Sequence, residues 1–120
     1  MIVYHYTSEE AYNEIMRTNE FRPSFFSTAL DAVYGPGWYF TDLDPNTPDN
    51  ELYYYLWRQP VPERVKRYLE FDIDFSLLEN TRIHVYKLPL ERIKGGVIRL
   101  DRKYYLGDKV VIEFRKGGIR

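Results

Sequence analysis

The sequence predicts an α+β domain in which small, mainly antiparallel sheets are accompanied by two short helices. The chain has 120 residues, which is enough for one hydrophobic core. Short segments rich in β-branched and aromatic residues recur along its whole length and indicate about six strands. The helical patterns are confined to the first half, and no linker-like stretch divides the chain. We therefore expect residues 1–120 to form a single domain.

A strand and a helix open the chain. Residues 2–6 are mostly β-branched or aromatic, as in a strand. Ser8 then suits the N-cap of a helix, and the acidic pair Glu9 and Glu10 favours the positive end of the helix dipole. Apolar residues continue at helical spacing, so we expect the helix to end near residues 18–19.

The next part of the chain is broken by proline and glycine. The proline within residues 21–24 favours a short extended segment, whereas residues 25–36 fit either a helical turn or a loop. Residues 38–41 have the composition of a strand, and the Asp, Asn and Pro content of residues 42–50 predicts a loop. Residues 51–58 fit a short second helix, which the prolines that follow would end.

Strand patterns dominate the second half. Residues 64–75 alternate polar and apolar side chains, which is the period of a half-buried strand. Residues 82–88, 97–100 and 109–115 are further strand candidates. Residues 90–93 fit a single helical turn that two glycines close.

The composition excludes several classes of function. A net charge of -1 argues against a non-specific nucleic-acid binder, because phosphate binding needs a basic excess. The chain has no cysteine, which excludes a disulfide scaffold and a thiolate metal site. His5 and His84 are the only histidines, so a His-rich metal site is excluded and no metal is expected. The start lacks the layout of a secretory signal, and no apolar run approaches the ~20 residues that cross a bilayer.

Three polar residues stand out: His5 in "YHYTS", Tyr39 in "YGPGWYFTD" and Asp108 just before "KVVIEF". Each has an ordinary interpretation when taken alone. A single histidine in a strand is usually structural, an aromatic residue in a strand usually fills core, and Gly-Asp before a strand is common turn chemistry. The glycines before Tyr39 are less ordinary, since glycine allows the backbone to approach a ligand closely.

Taken together and in this order, these residues resemble the branch of the ADP-ribosyltransferase fold whose triad is His, Tyr and an acidic residue. Poly(ADP-ribose) polymerases and diphtheria-type toxins belong to that branch. The chain is similar to the toxin family named for its His-Tyr-Asp signature. The segments that carry the resemblance are "YHYTS", "FRPS", "YGPGWYFTDLDP" and "YYLGDKVVIEF", which together span residues 4–114.

The resemblance implies a cleft that binds NAD as co-substrate. In it, Tyr39 faces the nicotinamide, His5 holds a hydroxyl of the adenosine-side ribose, and the backbone of Tyr6 grips the carboxamide. Asp108 would hold the 2′-hydroxyl of the nicotinamide ribose. Arg22 lies where a cation could reach the pyrophosphate.

Further positions complete the implied site. Thr7 and Gly37 join the NAD-binding set beside their neighbours in the two motifs. A second aromatic residue usually closes the nicotinamide slot from a helix. Among the three tyrosines of "ELYYYLW", we favour Tyr54 for this position over the tyrosines at 53 and 55.

Two features of the sequence leave alternatives open. Glu113 is the rival of Asp108 as the acid, because most relatives in the wider branch use Glu. Strand alternation places Asp108 on an apolar face and Glu113 on the other face, which favours Asp108. The stretch "FFST" resembles a motif of a different branch, but that branch needs an arginine where this chain has His5.

The function that the resemblance implies is mono-ADP-ribosyl transfer from NAD to a macromolecule, as in a toxin or effector. Residues 101–107 would then face the acceptor, with Arg102, Tyr104 and Tyr105 as contacts. An NAD glycohydrolase, with water as the acceptor, would have the same pocket. A non-catalytic module that stacks bases or a peptide on its tyrosines is the alternative outside enzymes.

The resemblance also implies a biological setting. The near-neutral charge favours a protein over a nucleic acid as the acceptor. Toxins of this kind usually have a neutralising partner, so an immunity or antitoxin protein is expected. The site of action would be the cytoplasm of a target cell, reached by a free-standing protein or by a domain of a larger secreted toxin.

Overall fold

The computed structural model describes residues 1–24 and 35–120. The ambiguous segment at residues 25–36, including "FFST", lies outside this description except for its last two residues. The strands, in chain order, are β1 (Ile2–Thr7), β2 (Glu20–Phe21), β3 (Gly37–Phe40), β4 (Arg67–Ile73), β5 (Glu79–Arg82), β6 (Val85–Pro89), β7 (Ile98–Arg99), β8 (Tyr104–Leu106) and β9 (Lys109–Ile119).

Antiparallel pairing organises the described strands into three sheets. The largest has the order β1-β4-β9-β8, the second has the order β3-β6-β5, and β2 pairs with β7. Every ladder between these strands is antiparallel. The prediction of an α+β fold with mainly antiparallel sheets is therefore confirmed.

The first helix, α1 (Glu9–Thr18), has the bounds that the sequence predicts. The hydroxyl of Ser8 accepts a hydrogen bond from the N–H of Ala11 at 3.1 Å, which is the expected N-cap. Asn19 ends the helix in the left-handed conformation with φ of 58°, and its N–H bonds the carbonyl of Ile15.

The second helix differs from the prediction. The α-helical part, α2 (Asp49–Leu52), is one turn long and begins before residue 51. It continues into a π-helical turn (Tyr53–Trp57), closed by Arg58, whose N–H bonds the carbonyl of Tyr53 at 2.7 Å. No helix in the described ranges is long and apolar enough to cross a membrane.

The prediction of one strand over residues 82–88 is wrong, because β5 and β6 form a hairpin. Its turn is formed by residues 83–84, and His84 takes the left-handed conformation with φ of 62°. Two-residue hairpin turns usually contain Gly, Asn or Asp, and this turn contains none of them. The short strands β2 and β8 were also absent from the sequence-based prediction.

Two hydrophobic clusters lie on opposite faces of β1, as strand alternation requires. Val3 belongs to the larger cluster and Tyr6 to the smaller one. The larger cluster takes residues from all three sheets, and its largest fully buried side chains include Trp38, Phe71 and Leu88. The smaller cluster is completed from the helical segments by Leu52, Trp57 and Val65.

Candidate active site

A cavity of about 60 Å³ lies where β1 and β3 meet. Side chains from β1, β3, the π-helical turn and the β5–β6 hairpin line it. They are Tyr4, His5, Tyr6, Tyr39, Phe40, Thr41, Leu56, Trp57, Arg64, Arg82 and Val85. Its volume is well below the roughly 300 Å³ or more of a typical ligand pocket.

The cavity exists because β1 and β3 separate after a single bridge. Tyr4 and Thr41 exchange backbone hydrogen bonds of 2.8 and 2.9 Å. If the same register continued, Tyr6 would pair with Tyr39. The described residues contain no such pairing, and the strands diverge instead. We call this opening between Tyr6 and Tyr39 the wedge.

The backbone of Tyr6 points into the wedge. Tyr4 directs both its N–H and its C=O at Thr41, and backbone groups two residues apart in a strand point to the same side. The N–H and C=O of Tyr6 therefore face away from β4 and towards the opening. A strand edge of this kind can bind an amide by two hydrogen bonds.

The imidazole of His5 spans the wedge. Its Nδ1 lies 3.0 Å from the carbonyl oxygen of Tyr39. A carbonyl can only accept a hydrogen bond, so Nδ1 carries the proton and, in the neutral ring, Nε2 is the acceptor. The ring of Phe21 packs against the imidazole, with 4.7 Å between the ring centroids. This hydrogen bond and the ring contacts with Phe21 and Phe40 fix the orientation of His5.

The glycines before Tyr39 shape the other side of the wedge. A Cβ at Gly37 would lie 2.4 Å from the backbone oxygen of Leu88, so the close approach of β3 to β6 requires glycine there. The hydroxyl of Tyr39 donates to the carbonyl of Gly35. This bond holds the half-buried Tyr39 ring back over its own turn, and the residue lines the cavity.

A carboxylate lies on the same face of the sheet as Tyr39. Tyr39 pairs with Lys87 of β6, and Lys87 pairs with Glu79 of β5. Directly opposed residues share a face, so the three side chains form one row. The Nζ of Lys87 is 3.5 Å from Oε2 of Glu79. The sequence-based prediction missed Glu79 because it did not recognise β5 as a strand.

The π-helical turn forms a second wall. Leu56 and Trp57 line the cavity from this segment. The guanidinium of Arg64 lies over the Trp57 ring, 5.3 Å from its centroid. Arg82 donates to the carbonyl of Tyr55 and, at 2.6 Å, to that of Leu56. The cavity thus combines aromatic rings with two guanidinium groups.

The structure does not bring Asp108 to this site. His5 lies across from Leu69, and Leu69 lies across from Gly117 of β9. Asp108 precedes Gly117 by nine residues, which is roughly 30 Å of extended chain. It is exposed in the turn between β8 and β9. The structure therefore brings His5 and Tyr39 to one cavity and places Asp108 away from them.

Glu113, the rival acid, is also outside the cavity. It lies opposite Asp72 and forms an ion pair of 3.3 Å with Lys103. The alternation argument identified which face of β9 each acid would occupy. It carried no information about how far along the strand the cavity lies, so it could not show that both residues lie outside the cavity lining.

The remaining predicted positions are dispersed. Arg22 is exposed and pairs with Glu20 at 2.8 Å. Thr7 is buried at the end of β1 and does not line the cavity. Tyr54 is 59% exposed, and Trp57 of the same segment occupies the cavity wall in its place. The segment expected to face the acceptor, residues 101–107, includes β8, on the edge of the four-stranded sheet away from β1.

The phenols of Tyr4 and Tyr6 are not acid–base groups at ordinary pH. Burial raises the pKa of Tyr6, and its hydroxyl donates to the carbonyl of Leu43 at 2.7 Å. Burial also raises the pKa of Tyr4, with a smaller contribution from Glu70. Within residues 1–24 and 35–120, no group of three His, Cys, Asp or Glu is arranged to hold a metal ion.

Comparison with known proteins gives one match. The sequence model of a family described as HYD1 signature containing ADP-ribosyltransferase matches residues 3–94, well over half of the chain. The matched range includes His5, Tyr39 and Glu79, and it ends before Asp108. No curated protein and no solved structure matches the chain.

Proposed function

This chain belongs to the family of toxin ADP-ribosyltransferases with the HYD1 signature, and we propose that it transfers single ADP-ribose units from NAD to a protein. The observation that carries the proposal is the wedge. It places the imidazole of His5, the ring of Tyr39 and the backbone edge of Tyr6 around one opening. These are the two signature side chains and the strand edge that the resemblance assigned to NAD.

Each group has a defined task in this proposal. The Tyr39 ring stacks on the cationic nicotinamide, a contact that contributes about 1–2 kcal/mol when water is excluded. The N–H and C=O of Tyr6 bind the carboxamide. The imidazole of His5, which lines the cavity, forms a hydrogen bond with a ribose hydroxyl. His5 thereby orients the substrate and takes no proton from it.

The reaction breaks the bond between C1′ of the ribose and the nicotinamide nitrogen. The nicotinamide leaves with the bonding electron pair, and C1′ becomes an oxocarbenium-like cation, as in glycoside cleavage. The nucleophile of the acceptor then bonds to C1′ and loses its proton. A carboxylate close to the ribose stabilises the positive charge as it develops.

We propose Glu79 as this carboxylate, in place of Asp108. Glu79 shares the Tyr39 face of the three-stranded sheet, with one strand between them, so their Cα atoms lie about 10 Å apart. That separation suits a residue that reaches the ribose while Tyr39 contacts the base. Lys87, between the two, pairs with the carboxylate at 3.5 Å and orients it.

The cavity is too small for NAD in the unbound protein, so the proposed function requires a change of shape on binding. A space of about 60 Å³ holds a few water molecules and is too small for a dinucleotide. NAD binding must therefore widen the wedge. Since β1 and β3 share one bridge, at Tyr4 and Thr41, they can separate further without breaking a continuous ladder, and the bond between His5 and the Tyr39 carbonyl then opens.

The test is nicotinamide release from labelled NAD by the purified protein, with and without cell lysate. We expect release that requires lysate for full rate and that leaves label on protein. The variant His5→Gln should fold normally and lose this activity. Free ADP-ribose without labelled acceptor would identify an NAD glycohydrolase, and labelled nucleic acid would replace the protein acceptor. If NAD neither binds nor turns over, a non-catalytic binding module is the better interpretation.

The toxin family suggests delivery into a target cell. We propose the cytoplasm as the place of action, since NAD and its protein acceptors are present there. An immunity protein that blocks the wedge would protect the producing cell. Co-expression that rescues growth in a heterologous host would identify such a partner.

A further inference from the structure

The tip of the β5–β6 hairpin reaches across to the π-helical turn (Tyr53–Trp57). Arg82, the last residue of β5, donates to the backbone carbonyls of Tyr55 and Leu56. The carbonyls in the last turn of a helix have no partner further along the helix, so an external donor fills this need. The planar guanidinium can serve two neighbouring carbonyls at once.

His84, in the turn of the same hairpin, makes a second set of contacts. The His84 ring packs edge-on against the Tyr55 ring, with 4.7 Å between centroids. Nδ1 of His84 lies 2.6 Å from Oδ1 of Asp42, the residue that follows Thr41 of the cavity wall. The hairpin tip is therefore bonded to the π-helical turn and to the end of β3.

These contacts connect the two walls of the cavity. Tyr39 lies on the three-stranded sheet that contains Arg82, whereas Leu56 and Trp57 lie on the π-helical turn that Arg82 holds. A π-helical turn is an unusual geometry that occurs often at functional sites. Here it presents two consecutive side chains, Leu56 and Trp57, to the cavity.

We propose that Arg82 is a positioning residue that sets the separation between Trp57 and Tyr39, and thereby the affinity of the site for NAD. The identity of the ligand rests on the proposed function, whereas the positioning itself does not. Loss of the guanidinium leaves two carbonyls without their donor. The turn then loosens, Trp57 moves away from the wall, and the ligand must order the wall again on binding.

The test compares Arg82→Gln and Arg82→Lys with the matched control Arg67→Gln. Arg67 is also half-buried and donates to a backbone carbonyl, that of Lys66 at 3.1 Å, but it does not line the cavity. Lysine keeps the charge at position 82 but cannot bond two carbonyls in a plane. Arg82→Lys should therefore resemble Arg82→Gln, and it supplies a second folded variant if the glutamine variant fails to fold.

The first readout is tryptophan quenching by acrylamide without NAD. The chain has two tryptophans, and Trp38 and Trp57 are only 1% and 5% exposed. We expect acrylamide to quench the fluorescence of one of the two tryptophans more strongly in both Arg82 variants than in the wild type. The Arg67 variant should show the same quenching as the wild type. Unchanged quenching in a folded Arg82 variant, or the same change in the control, would overturn the proposal.

The second readout is the kinetic split. We expect the KM for NAD to rise by up to roughly fivefold in the Arg82 variants while kcat falls by less than about twofold, because uniform binding is lost rather than transition-state stabilisation. Equal losses in kcat and kcat/KM would instead assign Arg82 to the chemical step. If the wild type shows no NAD turnover, the proposed function fails, and the quenching result still decides the positioning role.

Discussion

The wedge and the β8–β9 hairpin differ in how their polar groups are held. At the wedge, His5 is bonded to the backbone of Tyr39, more than thirty residues away in sequence. At the hairpin, Asp108 is exposed, and the next residue, Lys109, forms an ion pair with Asp74, which directly follows β4. At the wedge, His5, Tyr39 and Tyr6 line one cavity, whereas Asp108 lies in an exposed turn outside that cavity.

The same short motif has a different structural role in the two regions. Both regions have a glycine, a polar residue and an apolar strand. At the wedge the glycine allows two backbones to approach, since a Cβ at Gly37 would collide with Leu88. At the hairpin a Cβ on Gly107 would meet nothing within 4 Å, so that glycine only serves a turn with φ of 63°.

The largest expected effect concerns the acid. Glu79→Gln should lower the rate of nicotinamide release by about 100-fold or more, since it removes the charge that stabilises the developing cation. Asp108→Asn, the matched change at the hairpin, should leave the rate within about twofold, because Asp108 lies roughly 30 Å along β9 from the His5 row. Single-turnover assays with both variants would measure this. A larger loss in Asp108→Asn than in Glu79→Gln would restore Asp108 as the acid and contradict the proposal that NAD binds at the wedge.

The second comparison is between the two glycines. Gly37→Ala should lower the free energy of unfolding by roughly 3 kcal/mol, because the new Cβ overlaps the backbone of Leu88. Gly107→Ala should cost about 1 kcal/mol, the strain of a left-handed residue with open space around it. Urea unfolding of both variants gives the two values. Similar losses would mean that β3 does not approach β6 as closely as described.

A smaller effect distinguishes two aromatic residues of one segment. Trp57→Leu should raise the KM for NAD by roughly fivefold, or about 1 kcal/mol, through the loss of a ring from the cavity wall. Tyr54→Leu should leave the KM unchanged, because its ring is exposed and stacks with Arg58 outside the cavity. Initial-rate kinetics on folded variants would decide, and an effect of Tyr54 alone would support the original assignment.

The smallest effect is a pH dependence at the hairpin end. Hydrogen bonds from Lys109 and then from Ser76 lower the pKa of Asp74 below its ordinary value. A carboxyl with a lowered folded-state pKa adds stability above its unfolded pKa, near about 4, and this stability disappears as the pH falls further. Asp74→Asn should therefore be less stable than wild type at neutral pH, with a difference that shrinks in acid. Thermal unfolding at several pH values measures it, and activity should not change.

Local signals made part of the fold predictable. The cap at Ser8, the acidic first turn and the helical spacing defined α1, because these interactions lie within a few residues of one another. His5 and Tyr39 were identifiable through their motifs, since each lies in a distinctive short stretch. The structure adds that the two are bonded, which no single motif could show.

The rest depended on contacts that the sequence does not encode locally. The turn at residues 83–84 lacks the usual turn residues, so β5 was merged with β6 and Glu79 went unnoticed. The π-helical turn brings Trp57 rather than Tyr54 to the cavity, a choice that helical spacing cannot predict. The position of Asp108 relative to the cavity could not be predicted, because strand alternation gives the face on which a residue lies but not its distance along the strand from the cavity.

A crystal structure of the protein soaked with nicotinamide would test most directly whether the wedge is the binding site. We expect the nicotinamide ring against the face of Tyr39, with its carboxamide within hydrogen-bonding distance of the backbone N–H and C=O of Tyr6. We also expect β1 and β3 to lie further apart than in the unbound protein. A nicotinamide ring bound beside Asp108 at the β8–β9 hairpin, with the wedge unchanged, would contradict both expectations.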